Sequence, residues 1–196
     1  MKELIDKLNH CEKVLVGIGE EWKGASYEAL SALLEGKDYF IVTTVTDALI
    51  YKSGLDPARI VAPCGNDTWR QCSKSCTKDI WEQGEIPDDI CPHCHAPLTG
   101  NTILAESYIE EGYLPQWEAY KKWLTGTLNR DLVILELGVG FQFPTVIRWP
   151  FEKTAFFNRK SCLYRVNEKF SQITEELKDR ARAVAENSVE FVENLR

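Results

Sequence analysis

Two closely spaced cysteine pairs constrain the fold of this 196-residue chain more than any other feature of its sequence. The first pair is Cys72 and Cys76, and the second pair, Cys91 and Cys94, follows after fourteen intervening residues. Each pair places two thiols on one tight turn, and a tetrahedral zinc ion bound by all four thiolates joins the two turns. The spacing therefore predicts a structural zinc site in a small module within the chain.

Two alternatives to this ligand set are open. His93 or His95 can replace one cysteine, since imidazole is also a zinc ligand. The four thiols can instead form two disulfides or act independently. Disulfides are typical of exported proteins, but residues 1–8 indicate the start of an amphipathic helix and lack the apolar run of a signal peptide. Because the number of cysteines is also odd, we expect a reduced chain in the cytoplasm.

Outside the cysteine module, short apolar runs alternate with segments of helical pattern. β-branched and aromatic residues predict strands over residues 14–19, 39–46, 59–62, 132–137 and 162–166. Caps and apolar spacing predict helices over residues 26–34, 47–54 and 115–124, another after Pro144 and a long C-terminal helix from about Ser171. This alternation indicates an α/β fold with a mainly parallel sheet. The cysteine module interrupts the pattern, so we expect an inserted subdomain.

The predicted strands also locate a candidate binding site. In a parallel α/β sheet, ligands bind in the crevice beyond the carboxyl ends of the strands. That rule selects the loops at residues 17–21, 43–47, 63–65, 138–140 and 167–168. Several of these loops contain glycine, which allows the backbone to approach a ligand closely.

The order of motifs along the chain adds to this interpretation. The glycine pair Gly17 and Gly19 ends the first strand, and a Thr-x-x-x-Asp pattern that ends at Asp47 follows the second. A turn at Gly65 precedes the cysteine pairs, a Gly-x-Gly follows residue 137, and the late strand closes in Val166-Asn167-Glu168. In this order, and over nearly its full length, the chain resembles the sirtuins, a family of NAD-dependent protein deacylases.

The resemblance implies a Rossmann-like NAD-binding domain formed by residues 1–66 and 101–196, with a zinc ribbon inserted at residues 67–100. The implied partners are NAD or ADP-ribose, held between the two parts, and a protein or peptide substrate. Asp47 matches the family's acidic residue near the nicotinamide pocket, and Asn167 matches a residue that hydrogen-bonds the adenosine ribose. Each glycine can equally be a plain turn at a strand end, and Asn167 an ordinary turn residue. The implied cofactor-binding residues are Gly17, Ile18, Gly19, Thr44, Gly138, Gly140, Asn167 and Glu168.

The sequence departs from the family pattern where the catalytic centre is expected. Sirtuins have a histidine as general base just before the first cysteine pair, and the matching residue here is Cys64. Their Gln-Asn pair before the aspartate is replaced by Thr44 and Val45. The first loop is shortened and carries Glu20 and Glu21 where a pyrophosphate would approach. A thiol acts as a base only when its pKa is lowered, so Cys64 is either a base or nucleophile or a small apolar residue at a tight turn.

Three functions are compatible with these residues. The first is an NAD-dependent deacylase or ADP-ribosyltransferase with an altered site, in which Cys64 and Asp47 are the candidate catalytic residues. The second is a catalytically degenerate module that binds NAD or ADP-ribose and acts through a protein partner. The third is a structural role with contacts made by Trp117, Tyr120 and Trp123, although their spacing is more typical of a core-facing helix stripe.

Charge and hydropathy argue against other partners. The net charge is −7 and the chain has no run of basic residues, so we expect no binding to nucleic acid. No segment approaches the roughly 18 consecutive apolar residues of a membrane span, so no membrane association is expected either.

Overall fold

The computed structural model describes residues 1–195, in which nine strands form two sheets. The strands are β1 (Lys13–Ile18), β2 (Tyr39–Thr43), β3 (Ile60–Val61), β4 (Gly65–Cys72), β5 (Trp81–Glu82), β6 (Leu98–Thr102), β7 (Leu132–Leu137), β8 (Ser161–Val166) and β9 (Ala181–Val184). Six of them form a parallel sheet in the order β3-β2-β1-β7-β8-β9. This is the doubly wound Rossmann order, and it confirms the predicted α/β fold with a mainly parallel sheet.

Five α-helices cover the two faces of this sheet. They are α1 (Lys2–His10), α2 (Glu28–Leu34), α3 (Leu114–Thr125), α4 (Arg148–Phe157) and α5 (Ser188–Glu193). Successive residues of a strand face opposite sides, so Val14 and Val16 of β1 pack with α1, α2 and α5, while Leu15 packs with α3 and α4. Within residues 1–195, no helix combines the length and the apolar character that crossing a membrane requires.

The second sheet organises the cysteine module. It is antiparallel, with the order β5-β4-β6. Its small core contains the buried side chains of Cys72, Cys91 and Trp81. The predicted boundaries of the insertion, residues 67 and 100, lie within β4 and β6, so these two strands lead out of the Rossmann-like part of the chain and back into it.

The aromatic residues of α3 face the core rather than solvent. Tyr120 is buried, and Trp117 and Trp123 pack against the same apolar cluster. The ring centroid of Phe40 lies 5.4 Å from that of Tyr120 and 5.8 Å from that of Trp123. This stripe therefore stabilises the packing of α3 on the sheet and is not available as an exposed docking surface.

The C-terminal segment differs most from the sequence-based expectation. The prediction of one long helix from about Ser171 is wrong. The segment instead forms a 3₁₀ helix at Glu175–Leu177, strand β9 and the short helix α5. Strand β9 pairs with β8 and completes the parallel sheet. Its alanines and charged residues favour helix, but the hydrogen bonds available at the edge of β8 outweigh this local preference.

The segment after β2 also departs from prediction. Strand β2 ends at Thr43, three residues earlier than expected. The helix predicted over residues 47–54 is only a 3₁₀ helix at Leu49–Lys52.

Buried charges connect the central strands to the loops at their carboxyl ends. Glu136 of β7 is fully buried and accepts hydrogen bonds from the guanidinium of Arg165 on β8, at 2.7 Å and 2.9 Å. Arg148 of α4 donates to the same carboxylate and to the backbone carbonyls of Val139 and Phe170. The network therefore holds the loops after β7 and β8 in place relative to the sheet.

Candidate functional site

The candidate site lies beyond the carboxyl ends of β1 and β7, where the strand order reverses and parallel sheets bind their ligands. A cavity of about 200 Å³ opens there toward the cysteine module, and its lining includes Glu20, Thr44, Cys64, Asp67, Leu104 and Phe143. Small-molecule sites typically have volumes of roughly 300 to 1,000 Å³. The cavity is therefore smaller than a typical small-molecule site.

Cys64, the residue at the expected base position, lines this cavity from a buried position. Its side chain is 1% exposed. Burial, together with the nearby carboxylate of Glu20, raises the pKa of the Cys64 thiol to about 12. The thiol is therefore protonated at neutral pH, whereas a general base must be deprotonated. This environment favours the interpretation of Cys64 as a small buried residue at a turn, and its catalytic role stays a prediction.

Asp47, the second candidate catalytic residue, does not line the cavity. Its carboxylate accepts hydrogen bonds from the backbone N–H groups of Gly24, at 2.7 Å, and Leu49, at 3.0 Å. It thereby ties the end of the first loop to the turn after β2. The structure does not bring Asp47 and Cys64 together in one open cleft, so a catalytic role for Asp47 also stays a prediction.

The two carboxylates of the first loop hold this loop against the carboxyl ends of the strands. The N–H of Gly140 donates to Oε2 of Glu20 at 2.9 Å. Glu21 accepts three hydrogen bonds, from the N–H of Glu168 at 3.0 Å and from the N–H and hydroxyl of Ser188 at 2.9 Å and 2.7 Å. Glu20 and Glu21 therefore accept hydrogen bonds from Gly140 and Glu168, two residues that were predicted to bind the cofactor.

Glycines allow the first loop and the loop after β7 to touch. A Cβ atom on Gly19 would lie 2.3 Å from the carbonyl oxygen of Gly138 and 2.4 Å from the Cα atom of Val139. Gly138 has a φ of +66°, and a Cβ atom there would lie 2.6 Å from the Cβ atom of Glu21. The predicted cofactor glycines are thus brought together, but they contact protein rather than an open space.

The remaining predicted residues of the first two strands are divided between core and cavity. Gly17 and Ile18 are buried within β1, and a Cβ atom on Gly17 would lie 2.4 Å from the side chain of Ile147. This glycine therefore permits close packing of the helix layer on the sheet. Thr44 does line the cavity, and both its N–H and its hydroxyl donate to the carbonyl of Ile18.

Asn167 is buried, and its side chain is satisfied by its own surroundings. Its Nδ2 donates to the carbonyl of Val139 at 3.3 Å, and its Oδ1 accepts from the N–H groups of Lys169 and Phe170 at 2.9 Å and 2.8 Å. Asn167 therefore links the loops after β7 and β8. A hydrogen bond from this residue to a ribose stays a prediction.

The four predicted cysteine ligands converge in the module. The sulfur atoms of Cys72, Cys76, Cys91 and Cys94 all lie within 4.8 Å of one another. The sulfurs of Cys72 and Cys94 are 3.5 Å apart, and those of Cys76 and Cys91 are 3.6 Å apart. A tetrahedral site with zinc–sulfur bonds of about 2.3 Å requires separations of about 3.8 Å. The four cysteines can therefore hold one metal ion.

The alternative ligand sets do not agree with this geometry. All four cysteines are free thiols, so the cluster is not a pair of disulfides. The ring of His93 instead contacts Asp79 at 2.8 Å. In the part of the chain that the structure describes, neither His93 nor His95 belongs to the cluster.

Sequence reasoning misses several residues that line cavities. Asp67, Leu104 and Phe143 reach the smaller cavity from segments whose approach to the sheet depends on the tertiary fold. A second cavity of about 630 Å³ is lined in part by Tyr51 and Trp69, and no predicted catalytic or cofactor-binding residue contributes to it. The sequence signals this second cavity weakly, through aromatic residues such as Tyr51 in the 3₁₀ helix after β2 and Trp69 in β4.

Two curated proteins are similar in sequence, whereas no protein-family model matches the chain. The chain is 26% identical over 182 residues to a "Protein ADP-ribosyltransferase" of Staphylococcus aureus (strain Mu50 / ATCC 700699), which covers 84% of this chain and 58% of that protein. It is 28% identical over 142 residues to a "Probable bifunctional ADP-ribose hydrolase/ADP-ribosyltransferase" of Fusarium oxysporum f. sp. cubense, which covers 60% of this chain and 23% of that protein. The chain thus spans less than two thirds of either relative.

Solved structures of sirtuins match the whole chain. A structure described as "Sir2-p53 peptide-NAD+" has a TM-score of 0.66 at 14% identity and covers 100% of this chain and 96% of its own. Another, described as "The Structural basis for Sirtuin Substrate affinity", has a TM-score of 0.65 at 15% identity, with coverage of 100% and 96%. The chain has the sirtuin fold. This confirms, at the level of the fold, the resemblance predicted from the order of motifs.

In the cleft of this chain, the loops lie where the fold predicts them, but the side chains between them were not predicted. The loops after β1, β7 and β8 meet where the fold predicts a ligand. In this structure, however, Glu20 and Glu21 of the first loop accept hydrogen bonds from backbone N–H groups of the other two loops. In this structure a dinucleotide therefore finds the N–H groups of Gly140 and Glu168 already hydrogen-bonded to carboxylates.

Proposed function

We propose that this chain is an NAD-dependent ADP-ribosyltransferase with an altered sirtuin-type site. Such an enzyme transfers the ADP-ribose part of NAD to an acceptor and releases nicotinamide. Two kinds of support exist: the sirtuin fold, and sequence similarity to two proteins that are named ADP-ribosyltransferases. NAD is accordingly the proposed cofactor and a protein or peptide the proposed acceptor.

The state of Cys64 favours ADP-ribosyl transfer over deacylation. Deacylation in sirtuins depends on a histidine base, and the thiol at the matching position has a pKa raised to about 12 by burial. Such a group does not accept a proton at neutral pH. In ADP-ribosyl transfer the acceptor supplies the nucleophile, so the reaction depends less on a general base at the position of Cys64. This is the observation on which the choice between the two reactions rests.

Release of nicotinamide from NAD tests the proposal. We expect release that does not require an acylated peptide, with ADP-ribose found on an acceptor by mass spectrometry. We also expect Cys64→Ala to keep the rate of nicotinamide release within about threefold of wild type, because the thiol is neither a base nor a nucleophile. Turnover that needs the acylated peptide and is abolished in Cys64→Ala would contradict the proposal and indicate a deacylase.

A second candidate function is a module that binds NAD or ADP-ribose without turnover and acts through a protein partner. The buried Cys64 at the position of the expected base favours it, because binding without turnover requires no base there. Binding measured by calorimetry together with no nicotinamide release, at saturating NAD and with acceptors of several classes, would identify this function instead.

We further propose that the four-cysteine cluster holds structural zinc. The donor set consists only of sulfur, which suits zinc, and four protein ligands leave no coordination position open for a substrate. Zinc bound there stabilises the module by joining its two turns. A location in the cytoplasm, where such thiols stay reduced, is part of the same proposal, as is the absence of nucleic-acid and membrane partners.

A further inference from the structure

We propose that the carboxylate of Glu20 competes with the anionic part of the ligand for the cleft, so that it sets the affinity for ADP-ribose and NAD. In this view Glu20 is a specificity-determining residue, and the structure shows the state in which it occupies the ligand's place. The inference rests on the proposed function, because it requires a phosphate-bearing ligand in this cleft.

The position of Glu20 is the first support. It follows β1 after one residue, Gly19, at the beginning of a short 3₁₀ helix, Glu20–Trp22, and it lines the cavity with Cys64. Its Oε2 accepts a hydrogen bond from the N–H of Gly140. Backbone N–H groups at glycine-rich strand ends are the donors that commonly bind phosphate oxygens, so a carboxylate here satisfies a donor suited to a ligand anion.

The environment of the carboxylate is the second support. Within residues 1–195, neither Glu20 nor Glu21 forms an ion pair with a basic side chain. Lys23 lines the same cavity, but it is absent from the ion pairs found among residues 1–195. The carboxylate of Glu20 therefore has no direct ion-pair partner in the described part of the chain, and it would repel a phosphate that approaches Gly140.

Glu20 is also the more easily displaced of the two carboxylates. It is exposed, and among residues 1–195 its side chain accepts a single hydrogen bond, from the N–H of Gly140. Glu21, in contrast, accepts three hydrogen bonds, and Trp22 next to it is fully buried and donates to the hydroxyl of Ser188 at 3.0 Å. A change of rotamer at Glu20 alone therefore frees the N–H of Gly140 while the rest of the loop keeps its anchors.

Calorimetric titration of the full chain with ADP-ribose tests the inference. We expect Glu20→Ala to bind ADP-ribose at least about fivefold more tightly than wild type, and Glu20→Gln to lie between them, since an amide still accepts the hydrogen bond but carries no charge. Glu35→Ala, which removes an equal charge from an exposed site at the end of α2, should change the affinity by less than about twofold.

Two further measurements separate competition for the anion from a general loosening of the loop. Adenosine has no phosphate, so its affinity should change by less than about twofold in Glu20→Ala. The gain for ADP-ribose should also shrink when salt is raised from about 50 mM to about 500 mM, because exposed charges are screened. Thermal melting of each variant checks that the fold is retained.

The outcomes distinguish the inference from the proposed function. If wild type binds ADP-ribose as tightly as Glu20→Ala or more tightly, Glu20 does not compete with the ligand and the inference is overturned, while the proposed function stands. A gain for adenosine equal to that for ADP-ribose also overturns it. If neither wild type nor any variant binds ADP-ribose or NAD at millimolar concentration, the proposed function fails and the inference is overturned with it.

Discussion

At the scale of single residues, Cys64 lies where a general base is expected, but its surroundings keep the thiol protonated. It follows β3 and lines the cavity, as the expected base would. The chain nevertheless buries its thiol beside Glu20, and both effects disfavour the thiolate. A residue at an expected catalytic position therefore need not have a pKa suited to catalysis, and this becomes visible only in the tertiary structure.

The raised pKa of Cys64 predicts a pH dependence of stability. Folding raises the thiol pKa from the ordinary 9.0 to about 12, so the unfolded chain loses this proton at lower pH than the folded chain does. The stabilisation is complete below pH 9.0 and decreases as the pH rises above it. We therefore expect the free-energy difference of unfolding between wild type and Cys64→Ala to fall by about 1.4 kcal/mol for each pH unit above that value.

Urea unfolding at about pH 8 and about pH 10 measures this change. The difference between the two proteins removes the contribution of groups whose raised pKa does not depend on Cys64, such as Tyr51 and Tyr120, because these groups are present in both. A difference that is the same at both pH values would contradict the assigned pKa.

At the scale of secondary-structure elements, the sequence was most informative where an element is buried on both sides. Strand β7 was predicted with its observed bounds, Leu132–Leu137, because an uninterrupted apolar run has few alternatives. Helix α3 was predicted within one residue at each end, since Pro115 marks its beginning. Strand β9 was not predicted, because its sequence favours helix and its conformation is imposed by the edge of β8.

The ion pair between β7 and β8 provides a prediction at this scale. Glu136 and Arg165 are opposite each other in the register and both are buried. Removing Glu136 takes a carboxylate away from two buried guanidinium groups, those of Arg148 and Arg165, although Arg165 keeps its ion pair with Glu152. Breaking a buried ion pair in this way costs about 3 to 5 kcal/mol. We expect Glu136→Leu to lower the free energy of unfolding by that amount, and the double variant Glu136→Leu with Arg165→Met to recover part of the loss.

Chemical denaturation of the two variants measures this coupling. Glu118→Ala is a suitable control, because Glu118 pairs with Lys121 on the exposed side of α3 and should contribute less than about 0.5 kcal/mol. Equal losses in the single and the double variant would show that Arg165 does not depend on Glu136.

At the scale of the whole molecule, the sequence predicts where the candidate site lies but not which contacts occupy it. The order of motifs placed the loops after β1, β7 and β8 together, because the doubly wound topology brings the carboxyl ends of these strands to one edge. It did not reveal that Gly19 touches Gly138 or that Asn167 is satisfied by the backbone. Such contacts depend on side-chain rotamers and on distances of a few tenths of an ångström, which motif spacing does not encode.

The cysteine module affects the whole molecule because its strands form part of the cleft. The N–H of Ile103, just after β6, donates to the carbonyl of Cys64 at 2.9 Å, and Cys64 precedes β4 directly. Metal binding by the four cysteines should therefore stabilise both the module and the wall of the cavity next to Cys64. Structural zinc contributes directly to folding free energy, so its loss should affect the stability of the whole chain.

We accordingly expect the purified chain to contain about one zinc ion, and Cys91→Ser to lose it and to melt at least about 5 °C lower. Metal analysis and thermal melting measure the two effects. Cys11→Ser is the matched control, because Cys11 is half-buried and lies outside the cluster. It should keep the metal. Cys91→Ser protein that lacks zinc but melts at the wild-type temperature would show that the cluster does not stabilise the fold, since removal of one of four ligands would then carry no energetic consequence.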